Sequence, residues 1–262
     1  MNHDRLSRFP AAHDDMSKAV AVPDTPQTRS PAYRLAFDDD EFLCRDELRP
    51  VRLQLELLKP ELALDEHGIK STVVFFGGAR IPAPDAENAS ELSSYYNEAR
   101  RFARLLTEGS DGTENVVITG GGPGVMEAGN LGAQEAGGVS IGLNIVLPHE
   151  QAPNSHVTPE LCFNFHYFAI RKMHFLMRAK AICVFPGGFG TLDEMFESLT
   201  LIQTKRMAPV PFLLFGRDYW DEVINWQALA RAGTISQDDL NLFQYVETAE
   251  DAVAAIENWK PT

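Results

Sequence analysis

Three short apolar runs in this sequence end in glycine, and each leads into a helical pattern. Residues 72–76 run into Gly77–Gly78–Ala79–Arg80. Residues 115–119 run into Gly120–Gly121–Gly122–Pro123–Gly124, and 181–185 into Pro186–Gly187–Gly188–Phe189–Gly190. Runs of Val, Ile and Phe without polar alternation suit strands covered on both faces. Similar runs occupy 139–144, 210–215 and 243–246. Helical spacing fills the intervals, at about 88–107, 125–136, 168–180, 191–204 and 218–230, with a terminal helix at about 249–259. Alternating strands and helices predict an α/β chain with a parallel sheet. In such sheets ligands bind at the carboxyl ends of the strands, where the glycines lie.

The part before residue 70 reads differently. Residues 1–32 are rich in Asp, Ser, Pro and Ala and lack apolar periodicity, which predicts a flexible tail. Residues 33–69 predict two or three short helices with Pro50 and Pro60 near their starts. Residues 70–262 form the expected main domain.

Glycine at a strand-to-helix junction lets a ligand approach the backbone closely. The free N–H groups of the following helix favour phosphate. Two long junctions of this kind point to a nucleotide or sugar-phosphate site. The standard phosphate patterns do not fit. A GxGxxG frame from Gly120 meets Val125 in its sixth place, and one from Gly188 meets Asp193. No GxxxxGK[ST] occurs either, so nicotinamide redox chemistry and ATP hydrolysis are both disfavoured.

Asp193 and Glu194 follow the second glycine loop. One reading is a capping box, Thr191-x-x-Glu194. The other is a carboxylate held beside a sugar phosphate. Just upstream, Arg171 and Lys172 stand near a predicted helix start, where positive charge opposes the helix dipole. That placement predicts an anionic ligand or a carboxylate partner.

The chain carries a formal charge of −14, which argues against nucleic acid and anionic membranes as partners. Residues 163–206 differ, with six Lys and Arg against three Asp and Glu. The three cysteines, Cys44, Cys162 and Cys183, have no metal-ligand spacing, and the histidines form no metal motif, so no metal is expected. A buried thiol in a reducing cytosol is the expectation for Cys183. No apolar run has the length of a membrane span, and no signal-peptide pattern is seen at the start. A cytoplasmic location is expected.

Together, Arg171–Lys172 and PGGFGTLDE at 186–194 resemble the LOG (Lonely Guy) family of cytokinin-activating phosphoribohydrolases, often labelled lysine decarboxylase-like. TGGGPGVMEA at 119–128, GLNIVLPHEQ at 142–151 and FNFHYFAIRK at 163–172 resemble its longer bacterial branch. The resemblance spans about residues 70–258 and implies a Rossmann-like, doubly wound parallel sheet, here with an N-terminal helical extension. It implies hydrolysis of the N-glycosidic bond of a nucleoside 5′-monophosphate, AMP or a cytokinin riboside monophosphate, to free base and ribose 5-phosphate. It carries the catalytic roles to Arg171 and Glu194, and phosphate binding to Gly187, Gly188, Gly190, Thr191, Gly121 and Gly122. Substrate contacts fall on Lys172, Glu150, Thr200, Met126 and Glu127. No cofactor is implied. A homo-oligomer is implied, from a dimer up to a hexamer. GGGPGVMEA departs from the GGGxxGLMG of short plant-type members, so Glu127 has no counterpart there.

Two alternatives stand beside this reading. One is a non-catalytic nucleotide or cofactor carrier on the same fold, which need not retain both Arg171 and Glu194. The other, a pyridoxal-phosphate decarboxylase, needs a Schiff-base lysine, and neither Lys172 nor Lys180 has a supporting motif.

Overall fold

The computed structural model describes residues 9–148 and 152–260. The chain divides into two units, with the boundary between Leu55 and Glu56. In the first unit, Ala12–Val20 forms α1, a helix with no buried residue, inside the stretch whose composition predicts a tail. A single turn, α2 (Asp40–Leu43), follows, capped by the Asp39 side chain.

The next helix corrects an expectation. Pro50 does stand near a helix start, but Pro60 does not: Arg49–Glu66 forms one helix of 18 residues, α3, with Pro60 inside it. Proline there removes one backbone hydrogen bond. Pro60 and Leu64 are buried, and burial of that face outweighs the local defect.

The second unit holds seven strands: β1 (Thr72–Phe76), β2 (Val116–Thr119), β3 (Ser140–Ile145), β4 (Cys162–Phe165), β5 (Ala179–Val184), β6 (Phe212–Phe215) and β7 (Gln244–Val246). All pairings are parallel, in the order β4-β3-β2-β1-β5-β6-β7. The helices are α4 (Ser94–Glu108), α5 (Val125–Glu135), α6 (Phe168–Met177), α7 (Phe189–Gln203), α8 (Arg217–Val223), α9 (Trp226–Arg231) and α10 (Ala249–Glu257). This is the Rossmann-like arrangement.

Strand residues alternate between two cores. Val74 and Phe76 face one, with Leu64, Phe175, Met195 and Trp220. Val73 and Phe75 face the other, with Ala99, Phe102, Phe185 and Phe215. Phe75 stacks on Phe102 with ring centroids 5.0 Å apart. Every residue of β1 and β2 is buried, which is why these runs lack polar alternation.

The topology sets the site. The chain winds outward from β1 to β4, then returns through α6 to β5 on the other side of β1. A crevice therefore opens past the carboxyl ends of β1 and β5, where the strand order reverses. The two ends are knitted together: Phe185 N–H donates to Phe76 O (2.8 Å), and Gly78 N–H to Pro186 O (2.9 Å).

Candidate active site

A cavity of about 730 Å³ occupies this crevice. That falls within the roughly 300–1,000 Å³ usual for small-molecule sites. Its lining comes from the loops after β1, β2 and β5 and from the first turns of α6 and α7.

The glycines divide into two kinds. Gly77, Gly120 and Gly187 are held by packing. A Cβ at Gly77 would lie 2.7 Å from Val125 Cβ, and one at Gly187 would strike the Thr191 hydroxyl and lie 2.9 Å from Gly78 N. A Cβ at Gly120 would stand 2.7 Å from Arg171 Nη2 and 2.7 Å from Met126 Sδ. Gly120 is thus what lets Arg171 reach the cavity. Gly188 and Gly190 are the other kind. Both line the cavity, and nothing lies within 4 Å of where their Cβ would stand.

The helix start at this loop argues against the capping reading of Glu194. The N-cap of α7 is Gly188, with no side-chain cap, so Thr191 and Glu194 form no capping box. Glu194 stands in the second turn, pointing at Arg171. Arg171 Nη1 lies 3.4 Å from Glu194 Oε1, and both side chains are only 12% exposed. Arg171 Nε donates to the Leu143 carbonyl of β3 at 2.7 Å, and its guanidinium lies 5.1 Å from the Phe175 ring centre. Burial raises the Glu194 carboxyl to about 7, against the opposing pull of Arg171 and Lys172 and with the help of Asp193 and Glu197.

The other predicted residues separate. Gly187, Gly188, Gly190, Thr191 and Met126 line the cavity with Arg171 and Glu194. Gly121, Gly122, Glu127, Lys172 and Thr200 are not among its lining residues. Lys172 Nζ pairs with Asp193 (2.8 Å) and Glu197 (2.7 Å), binding α6 to α7. Thr200 donates back to Phe196 O of its own helix at 2.7 Å. Glu150 lies outside the described residues.

Gly121 and Gly122 shape the site from behind. Asn154 N–H donates to Gly121 O (2.8 Å), and Asn154 Nδ2 to Gly122 O (2.9 Å) and Asn130 Oδ1 (2.9 Å). Thr119 accepts from Gly121 N–H at 2.9 Å and donates to Asn130 at 2.8 Å. Such a satisfied buried network fixes the loop.

Of the other lining residues, Asp193 belongs to the acidic pair singled out in the sequence, whereas Arg80, Phe168, Phe189 and Tyr219 carry no sequence-predicted site role. Arg80 has a sequence signal, its place just after the glycine pair Gly77–Gly78, whereas Tyr219 has none, because it arrives from α8 and donates to Gly187 O at 2.7 Å. Among the described residues no group of three metal-ligating side chains gathers. No helix of the described residues is long and apolar enough to cross a membrane.

The sequence profile of a family described as "possible lysine decarboxylase" matches residues 126–256, half of the chain. The chain belongs to this lysine decarboxylase-like, or LOG, family. The match takes in Arg171 and the whole of α7, while the loops after β1 and β2 precede it. Among solved structures, the structural-genomics target TM1055 is similar at 24% identity and a TM-score of 0.50, covering 72% of this chain and 99% of its own. The molybdenum cofactor binding protein of Rippkaea orientalis is similar at 20% identity and a TM-score of 0.49, covering 72% and 96%. The molybdenum cofactor carrier protein of Chlamydomonas reinhardtii is similar at 19% identity and 0.47, covering 72% and 97%. At these identities the likeness is one of fold. No curated protein matches the chain.

Proposed function

We propose that this LOG-family chain hydrolyses the N-glycosidic bond of a nucleoside 5′-monophosphate, releasing the base and ribose 5-phosphate. The observation that carries the reading is the buried Arg171–Glu194 pair beside open glycines at a helix N-terminus. A buried ion pair adds little to stability and is costly to maintain. Its place in a cavity argues for chemistry.

The roles follow from charge. Cleavage builds positive charge on the ribose as the base departs. A carboxylate beside the sugar stabilises that charge, or takes a proton from the attacking water. Glu194 is suited to this, because a carboxyl titrating at about 7 exchanges a proton readily near neutrality. Arg171 keeps it orientated and tends to keep it ionised. The phosphate would sit on the N–H groups at the start of α7, in the space left at Gly188 and Gly190.

The cation facing that phosphate is Arg80. It lines the cavity, is exposed, and has no ion-pair partner among the described residues. Lys172 is already held by two carboxylates. Phe168 and Phe189 (93% exposed) offer apolar faces on which a purine can stack. AMP and N6-modified AMP both suit such a surface. We further propose a cytoplasmic homo-oligomer, in keeping with free thiols at Cys44, Cys162 and Cys183 and exposed Phe168 and Phe189 beside the site.

Decarboxylation fits these residues poorly. A pyridoxal-phosphate enzyme needs a lysine at the reacting centre, and the described lining of the cavity contains none. A carrier role would not require a carboxylate held at about 7 against an arginine. Incubation with AMP and with isopentenyl-AMP, followed by assay of free base, tests the proposal. Tight binding without base release would favour the carrier.

A further inference from the structure

Helix α6 carries Arg171, yet its own sequence offers no side-chain cap at its N-terminus. The first N–H groups of a helix need partners when they are sheltered from water. At the entry to α6, the N–H groups of His166 and of the N-cap Tyr167 find one on α3. Glu56 accepts from His166 N–H at 2.7 Å with one carboxylate oxygen and from Tyr167 N–H at 3.1 Å with the other. Tyr167 O in turn accepts from Arg171 N–H at 3.1 Å, closing the first turn. Glu56 is therefore two hydrogen bonds from the backbone of Arg171.

The grip continues along the helix. His174 Nε2 donates to the backbone carbonyl of the same Glu56 at 3.1 Å. Burial lowers the His174 imidazole, against the opposing pull of the Glu56 carbonyl and Glu61. Past the end of α6, Arg178 pairs with Glu61 (2.9 Å) and Asp65 (2.8 Å), both on α3. Three carboxylates along one helix thus hold both ends of the other. The anionic cap also offsets Arg171 and Lys172, which the positive end of α6 would otherwise disfavour.

We infer that Glu56 is a positioning residue for Arg171, so that α3, from the segment preceding the sheet, fixes the arginine against Glu194. Arg171 spans from Leu143 O to Glu194, and its 3.4 Å contact leaves little slack. Releasing the first turn of α6 would let the guanidinium retreat. The groups that then act on Glu194 are Asp193 and Glu197 on its own helix and Lys172 on α6. With Arg171 withdrawn, the Glu194 carboxyl should rise further.

The test follows the Glu194 carboxyl by ¹³C titration, assigned through Glu194→Gln, in wild type, Glu56→Gln and Glu56→Ala. The expected result is a higher midpoint in both variants, smaller in Gln, which keeps one acceptor, and bounded by the shift in Arg171→Ala. Amide exchange at 166–171 should quicken in parallel. If AMP is hydrolysed, kcat should fall by roughly 10–10²-fold with KM little changed, as for a displaced catalytic group. A Glu194 midpoint unmoved in folded Glu56→Gln would overturn the inference and leave Glu56 a cap alone. The inference rests on the hydrolase reading for its kinetic arm only. A wild type inert toward AMP would sink that reading, while the titration would still decide the role of Glu56.

Discussion

Arg171 and Glu194 meet across two helices, Nη1 to Oε1 at 3.4 Å, with the arginine anchored on the other side to the Leu143 carbonyl. Three elements, α6, α7 and β3, converge on one arginine. The consequences of that convergence can be measured.

Replacing Glu194 by glutamine should preserve the fold and lower kcat by about 10²–10⁴-fold, the usual cost of losing a general acid–base group. Circular dichroism and a base-release assay check the two parts. Stability should move as well. The native carboxyl, at about 7, holds its proton above the unfolded value of 4.5. Between these values the native state binds more protons than the unfolded state, so stability falls as pH rises. Glu194→Gln removes that loss. Relative to wild type it should gain on the order of 2–3 kcal/mol between pH 4 and pH 8, read by denaturant unfolding.

The pH dependence of turnover should follow the same group. If ionised Glu194 is the working form, kcat/KM rises with pH through about 7. A rate profile of wild type between pH 5 and 9 checks this. In Arg171→Ala the rise should move to higher pH, because the arginine holds the carboxyl down.

Gly190 should separate folding from binding. No protein atom crowds its Cβ position, and it sits within the helix α7. Gly190→Ala should therefore be neutral or stabilising by about 0.4–1 kcal/mol. It should still weaken ribose 5-phosphate binding, since the methyl enters the cavity. Calorimetry of unfolding and of ligand binding reads both. Gly187→Ala, by contrast, should destabilise, because its methyl meets Thr191 and the Gly78 nitrogen.

Arg80 should report on the phosphate. Wild type should bind AMP more tightly than adenosine, and Arg80→Ala should narrow the gap by roughly tenfold, the worth of about 1.4 kcal/mol in a charge-assisted contact. Equal affinities in wild type would show that the site does not grip the phosphate.

Much of the sheet is legible in the sequence because β1, β2 and residues 181–184 of β5 are buried on both faces and so form apolar runs. β4 was not read as a strand. It is four residues at the sheet edge, with Asn164 exposed, and its apolar residues are too few to show a period. The helix predicted at 168–180 stops at Met177, and Ala179 already begins β5. That predicted at 218–230 is two helices, parted at Ile224 and Asn225. Arg171 and Glu194 stood out because charge near a glycine loop is unusual. Glu56, Arg80 and Tyr219 did not, for their roles depend on elements far apart in the chain. The cationic stretch at 163–206 proves partly neutralised within itself, Lys172 by Asp193 and Glu197 and Arg171 by Glu194.

A single-site comparison in ¹⁸O-labelled water tests whether Glu194 drives hydrolysis of the N-glycosidic bond. Wild type and Glu194→Gln are each incubated with AMP, and adenine and ribose 5-phosphate are quantified. The expected result is equimolar adenine and ribose 5-phosphate from wild type, with label at the sugar C1, and almost none from the variant. AMP bound but returned intact by wild type, or undiminished turnover by Glu194→Gln, would contradict it.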